Sequence, residues 1–297
     1  MPEVIVATPL KTVSRPYSFG EGISIRELTE IRWDSATVKN VIAEQEREEL
    51  RETKFWLVAA KEYDTAFGSN SDELYDLAWI AAMSLQIICP TGAHHVFLKF
   101  QTRQDGWDNI GSRNPKRLCS TLLGRLAGAS LEDQGLTQRF AAIYQGIRRA
   151  QEDKLVRIQN PVFLLEHGQQ IGNPVLGTLF FVMGLDVLFM AGESSTFMER
   201  IGGFMGLDTL LFPPDAYLHR QPSIDVRQIL RDLYDLRNII AHGQEIPKTP
   251  YREPYPIMST TGEQINRETL GYADILLEAS LFLPNRRPPK AVHRRTL

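Results

Sequence analysis

Between Pro174 and Gly192 the chain is almost wholly apolar, and Asp186 is the sole charged residue of the stretch. A run of this kind can be stored in a bilayer or in the middle of a protein core. A spanning helix needs about 20 apolar residues, and a carboxylate near its centre costs about 2.5–3.5 kcal/mol on the insertion scale. The expectation is therefore a buried core helix over 174–191 and no membrane span. Burial then imposes a second condition, because a carboxylate inside a core needs a cation beside it.

The cation is found in a helix over 223–242, which ends Leu233-Tyr234-Asp235-Leu236-Arg237-Asn238-Ile239-Ile240-Ala241-His242-Gly243. On a helical wheel centred on Leu233, the residues Val226, Ile229, Leu236 and Ile240 fall within about 60°, which gives one apolar face. Arg237 lies on its flank at about 40°, while Asn238 and His242 stand opposite at about 140° and 180°. Leu233, Leu236 and Ile240 are thus expected to be buried and His242 partly exposed. A guanidinium at a core edge cannot lose its charge and needs an acid or a phosphate, so Arg237 is expected to pair with Asp186. Gly243 suits the left-handed position that follows a helix end.

A fixed cation, an amide and a group that titrates near neutrality suffice to cleave RNA without a metal. In that chemistry His242 serves the 2′-hydroxyl and the leaving oxygen as general base or acid. Arg237 neutralises the phosphate, Asn238 orients it, and Asp186 holds the guanidinium. The bland alternative is an arginine in a buried ion pair and a histidine satisfied at a helix end. Arg237 and His242 diverge by about 140°, so a homodimer that brings two such helices together is expected to close the site.

These residues resemble the HEPN domain family, in particular its Apea-like group, whose members show Arg-Asn, three residues and His-Gly after a Leu-Tyr-x-Leu turn of helix. The likeness extends upstream to Gly184-Leu185-Asp186-Val187-Leu188-Phe189, where members usually carry Glu in place of Asp186, and to Glu193–Met205. It covers about residues 160–283. The resemblance implies a C-terminal helical bundle, often dimeric, that acts in many cases as a metal-independent ribonuclease in defence, toxin–antitoxin or RNA-processing settings. It also implies a supporting place for Tyr234 beside Asp186. Some relatives are non-catalytic modules that bind a nucleotide or a partner protein, and that is the second functional reading.

Elsewhere the chain sets bounds. It is 43% hydrophobic with a formal charge of −3, enough apolar residue for a real core and no global attraction for nucleic acid, so RNA must be met by a local site. Cys89 and Cys119 have no disulfide or zinc spacing, and the N-terminus lacks a secretory pattern, which together suggest a cytoplasmic protein. His167, His219 and His242 show no ligand spacing on one helix, and adjacent His94 and His95 in a strand would point apart. Neither a metal nor a cofactor is expected, and a metal hydrolase is set aside.

The fold class is mainly α, with a mixed α/β N-terminal region. Residues 1–35 read as strands or extended chain, and Phe55–Tyr63 and Val96–Gln101 as strands flanking a helix over Asp72–Cys89. Residues 103–114 read as a polar loop, followed by helices over 115–129 and 131–151. A boundary near residue 160 separates this region, 1–159, from the helical domain, 160–283. That domain adds helices over 195–204 and about 262–283, and a basic, proline-rich tail over 284–297 follows.

Overall fold

Every residue of strand β1 (Val4–Leu10) is buried, which places the strand inside a sheet covered on both faces. It pairs antiparallel with β4 (Phe55–Lys61) on one side and β5 (Phe97–Arg103) on the other. Beyond β4 lie β3 (Ile23–Glu27) and β2 (Tyr17–Gly20), and beyond β5 lies β6 (Gly106–Arg113). The result is an antiparallel six-stranded sheet in the order β2-β3-β4-β1-β5-β6. The computed structural model describes residues 3–10, 15–34, 44–61, 71–88, 97–103, 106–113, 136–206, 226–245, 248–250, 252 and 255–271. The chain divides into two compact units, Met1–Arg148 and Arg149–Leu297.

In the first unit, alternation sorts the sheet into two apolar faces. Ile5, Ala7, Trp56, Val58, Leu98 and Phe100 share one of them with Leu28 and with Leu50 from α1 (Glu44–Arg51). Trp56 and Phe100 meet there edge to face, with ring centroids 5.9 Å apart. Helix α2 (Ser71–Ile88) packs on β4, β1 and β5, and its buried Leu74, Ala78, Ala81 and Leu85 lie at helical spacing. The last helix of the unit, α3 (Leu136–Glu152), buries Phe140 and stacks it on Phe19 at 3.9 Å.

Residues 103–114, polar enough to read as a loop, contain β6. An edge strand needs no apolar alternation of its own, because hydrogen bonds from β5 and the packing of Trp107 hold it. Gly106 opens it at φ +123°, where a Cβ would lie 2.2 Å from the Glu30 carbonyl oxygen. The helix expected over 115–129, both cysteines, His94, His95, His219 and the 284–297 tail lie outside the described residues.

The second unit is helical: α4 (Val156–Gln170), α5 (Pro174–Phe189), α6 (Ser194–Met205), α7 (Val226–Ala241) and α8 (Tyr255–Leu270). Helix α5 touches the other four, as its apolar sequence requires. Its start is set by Asn173, whose side chain accepts hydrogen bonds from the Val175 and Leu176 N–H groups at 3.0 and 3.3 Å, with Pro174 in the first turn. At its end Met190 takes the left-handed conformation, φ 50°, and the Ala191 N–H returns to the Asp186 carbonyl at 3.1 Å. Among the described residues no single helix is long and apolar enough to cross a membrane.

Two helical features depart from the sequence expectation. Helix α4 carries Pro161 inside it and shows little periodicity, so nothing local announces it. Burial of Ile158, Val162 and Leu165 holds it and outweighs the hydrogen bond that the proline forfeits. Helix α8 begins at Tyr255 rather than near Gly262. Pro256 is tolerated in a first turn, and Gly262 sits in mid-helix where a Cβ would meet Leu233 and Phe181 at 3.4 Å.

Helices α4, α5 and α8 approach closely. Asn266, fully buried on α8, donates to the carbonyls of Phe181 and Gly262 at 2.8 and 2.9 Å. Nearby, Gln169 donates to Glu263 at 2.9 Å, and Arg267 stands 3.7 Å from the same carboxylate. Burial pushes the Glu263 carboxyl above its ordinary range, against the pull of Arg267 and the Gln169 hydrogen bond.

At Gly168 a Cβ would stand 2.4 Å from Cε1 of the Phe181 ring, itself 1% exposed and unable to move aside. Gly168→Ala is expected to cost about 1–3 kcal/mol through overpacking. Urea unfolding followed by circular dichroism will show it as a lower midpoint with an unchanged slope.

Candidate functional site

The apolar face of α7 settles its orientation. Val226, Ile229, Leu230, Leu233, Tyr234 and Leu236 are buried, whereas Ile240, expected in the core, is only half-buried. Burial fades along the last turn, with residues 237–240 intermediate and 241–245 exposed. The helix end therefore stands at the margin of the packed region. Gly243, at φ +68°, returns its N–H to the Ile240 carbonyl at 3.1 Å, and Gln244 reaches Ile239 at 3.0 Å. His242, the first residue past the helix, returns its N–H to the Asn238 carbonyl at 2.9 Å and is exposed.

On the flank of the apolar face, Arg237 meets Asp186. The Nη2–Oδ2 distance is 3.5 Å, with side-chain exposures of 29% and 14%, so the pair is shielded from solvent but not dry. The guanidinium is held from two further sides. Its Nη1 donates to Asn238 Oδ1 at 2.9 Å, and its Cζ lies 5.2 Å from the centre of the Tyr234 ring. Tyr234 is fixed in turn, packing on Phe197 at 5.1 Å and donating its hydroxyl to the Gly192 carbonyl at 3.2 Å.

Burial pushes the Asp186 carboxyl above its ordinary range, while Arg237 and the Gly192 backbone N–H pull it down. Its Oδ1 is buried and accepts no hydrogen bond among the described residues.

Asp186, Tyr234, Arg237 and Asn238 are thus brought together, and His242 is not. Among the described residues no hydrogen bond, ion pair or ring contact joins its side chain to the other four, and it diverges from Arg237 by about 140° around the helix. Asn238, placed by the wheel on the polar side, turns its Oδ1 back onto Arg237 and keeps only its Nδ2 for a ligand.

Two arginines that sequence reasoning passed over grip the same end of α5. Arg157 on α4 donates through Nε and Nη2 to the Leu188 carbonyl at 3.1 and 2.8 Å. Arg200 on α6 donates through Nη1 to the carbonyls of Phe189 and Met190 at 2.7 and 2.6 Å. Burial and then the charge of Arg200 lower the Arg157 pKa, so the two guanidiniums feel one another. No spacing rule links these residues to α5, and their only signal is the need of its last carbonyls for donors.

The first unit has an open cleft of its own, about 590 Å³, lined by Ile31, Arg32, Trp33, Asp34, Arg51 and Asp108. Its cations are matched by acids, Arg32 with Asp108 at 3.7 Å and Arg51 with Asp34 at 3.0 Å. Among the described residues no three His, Cys, Asp or Glu side chains gather as a metal site.

Comparison of the chain with protein-family models, with curated proteins and with solved structures finds no match.

Because Arg237 lowers the Asp186 pKa, its removal leaves the burial effect unopposed by that charge. In Arg237→Gln the Asp186 carboxyl is expected to titrate at higher pH than in the wild type. Carbon-13 NMR of the aspartate carboxyls will check this, and a midpoint that stays or falls would mean that the pair is not coupled in solution.

Proposed function

We propose that the chain is a metal-independent endoribonuclease of the HEPN type, a cytoplasmic protein acting in a defence or toxin–antitoxin setting. The observation that carries this reading is the Asp186–Arg237 pair, which holds a guanidinium beside Asn238 on the last turn of α7, one turn from an exposed His242. A preorganised cation at the margin of a core can face a phosphate without reorganising, which is the form of electrostatic stabilisation that acts most strongly on a transition state.

In the reaction, His242 takes the proton from a ribose 2′-hydroxyl as its oxygen attacks the adjacent phosphorus. Arg237 balances the charge that builds on the non-bridging oxygens, and the Asn238 Nδ2 donates to one of them. The bond to the 5′-oxygen breaks, and that oxygen takes a proton from an imidazolium. The products are a 2′,3′-cyclic phosphate and a 5′-hydroxyl. Asp186 and Tyr234 act on the guanidinium and not on the substrate.

One α7 points its arginine and histidine apart, so the active form is a homodimer in which the ends of two α7 helices share the scissile phosphate. Light scattering at micromolar concentration is expected to give twice the chain mass. A monomer that cleaves as well as the dimer would remove this part of the reading.

Labelled RNA is expected to be cut in the presence of chelator. His242→Ala should lose about 10²- to 10⁴-fold in rate and Arg237→Ala a comparable factor, with folding intact in the histidine variant. Full activity in His242→Ala would assign the cleavage elsewhere. No cleavage of any RNA, with binding retained, would assign the site to a nucleotide- or partner-binding module.

A further inference from the structure

Guanidiniums from three helices converge on the last turn of α5. Arg157 from α4 holds the Leu188 carbonyl, Arg200 from α6 those of Phe189 and Met190, and Arg237 from α7 the Asp186 carboxylate. The last carbonyls of α5 account for the placement of Arg157 and Arg200, and together with Arg237 these two leave a concentration of positive charge at this corner. Glu193 and Glu199, the nearest other acids along the chain, are exposed and pair with none of them among the described residues. Arg200 spends only Nη1 on the two carbonyls, and its Nε and Nη2 meet no acceptor among the described residues.

A second observation lies at the same corner. Met190 closes α5 in the left-handed conformation, φ 50°, where glycine is the usual choice, and the residue is 51% exposed. A long apolar side chain at a strained backbone position, standing in water beside an arginine, is not explained by packing.

We propose that Arg200 and Met190 form a second contact for the RNA strand, with Arg200 binding the backbone phosphate next to the one at Arg237 and Met190 lying against the neighbouring base. This rests on the ribonuclease reading and extends it. Two of the groups that hold Arg237 and Arg200, the Asp186 carboxylate and the Phe189 carbonyl, belong to residues three apart on α5, about 4.5 Å along its axis. That is a spacing of one to two nucleotides of a strand. A strand entering over the α5–α6 corner therefore reaches the α7 end with successive phosphates opposite successive guanidiniums. In this scheme Arg200 is a positioning residue, and its loss acts on substrate binding.

The test uses the full chain and a short fluorescein-labelled single-stranded RNA with 2′-O-methyl groups, which removes the nucleophile and leaves binding alone. Anisotropy titrations at several salt concentrations are run on the wild type, Arg200→Gln, Arg200→Lys and Met190→Gly, with melting temperatures measured alongside and cleavage of unmodified RNA followed separately. Arg200→Gln is expected to weaken binding about tenfold, to flatten the salt dependence by ~0.7 in log–log slope, and to raise KM rather than lower kcat. Arg200→Lys should restore the slope, which a purely structural cap would not do. Met190→Gly should weaken binding while keeping or raising the melting temperature, since glycine relieves the left-handed strain. Cleavage by the wild type with affinity and slope unchanged in Arg200→Gln and Met190→Gly would overturn this inference and leave the ribonuclease reading standing. A wild type that neither binds nor cuts RNA would overturn both.

Discussion

Asp186 sits on the helix that α4, α6, α7 and α8 all touch, and a carboxylate in that position cannot be left without a cation. Much of the second unit follows from meeting that need. Helix α7 must approach with Arg237 facing α5, which fixes its rotation and sends Leu233 and Leu236 inward. Tyr234, one turn earlier, then lies under the guanidinium and reaches the Gly192 carbonyl, tying the α5–α6 turn to α7. The last carbonyls of α5, close by, draw Arg157 and Arg200 from two other helices. A single costly charge thus orders one end of the bundle.

The same arrangement divides the candidate site into a rigid half and an open half. Arg237 is held from three directions, which in the proposed reaction lets it meet developing charge without reorganising. His242 is exposed, and among the described residues it is held through its backbone N–H. The two cannot face one point from one helix, so a second copy supplies the missing direction in the proposed reaction. The raised Asp186 carboxyl, still paired with its arginine, is the residual cost of building the rigid half inside a core.

Much of this was legible in the residues. The apolar run with one acid, the arginine on the flank of an amphipathic stripe and the glycine after the histidine predict α5, α7, their ion pair and the helix stop. The structure shows each of these. Legibility failed where local pattern and tertiary environment disagree. Helix α4 hides behind Pro161, β6 behind two glycines and a polar sequence, and the start of α8 behind Pro256. In each case neighbours supply what the segment itself does not signal. Ile240 follows the apolar stripe but lies beyond its cover.

By itself, then, the sequence determined which faces are apolar, which helix must be innermost and that its lone carboxylate requires a cation, because periodicity and the cost of a buried charge are local properties. Only the tertiary structure decided that Asn238 turns back onto Arg237, that Arg157 and Arg200 share the end of α5 with it, and that Met190 is left in water at a strained position. Those outcomes depend on which helices meet at one corner, and on how many donors remain once the carbonyls there are satisfied. Neither quantity is carried by any single stretch of chain.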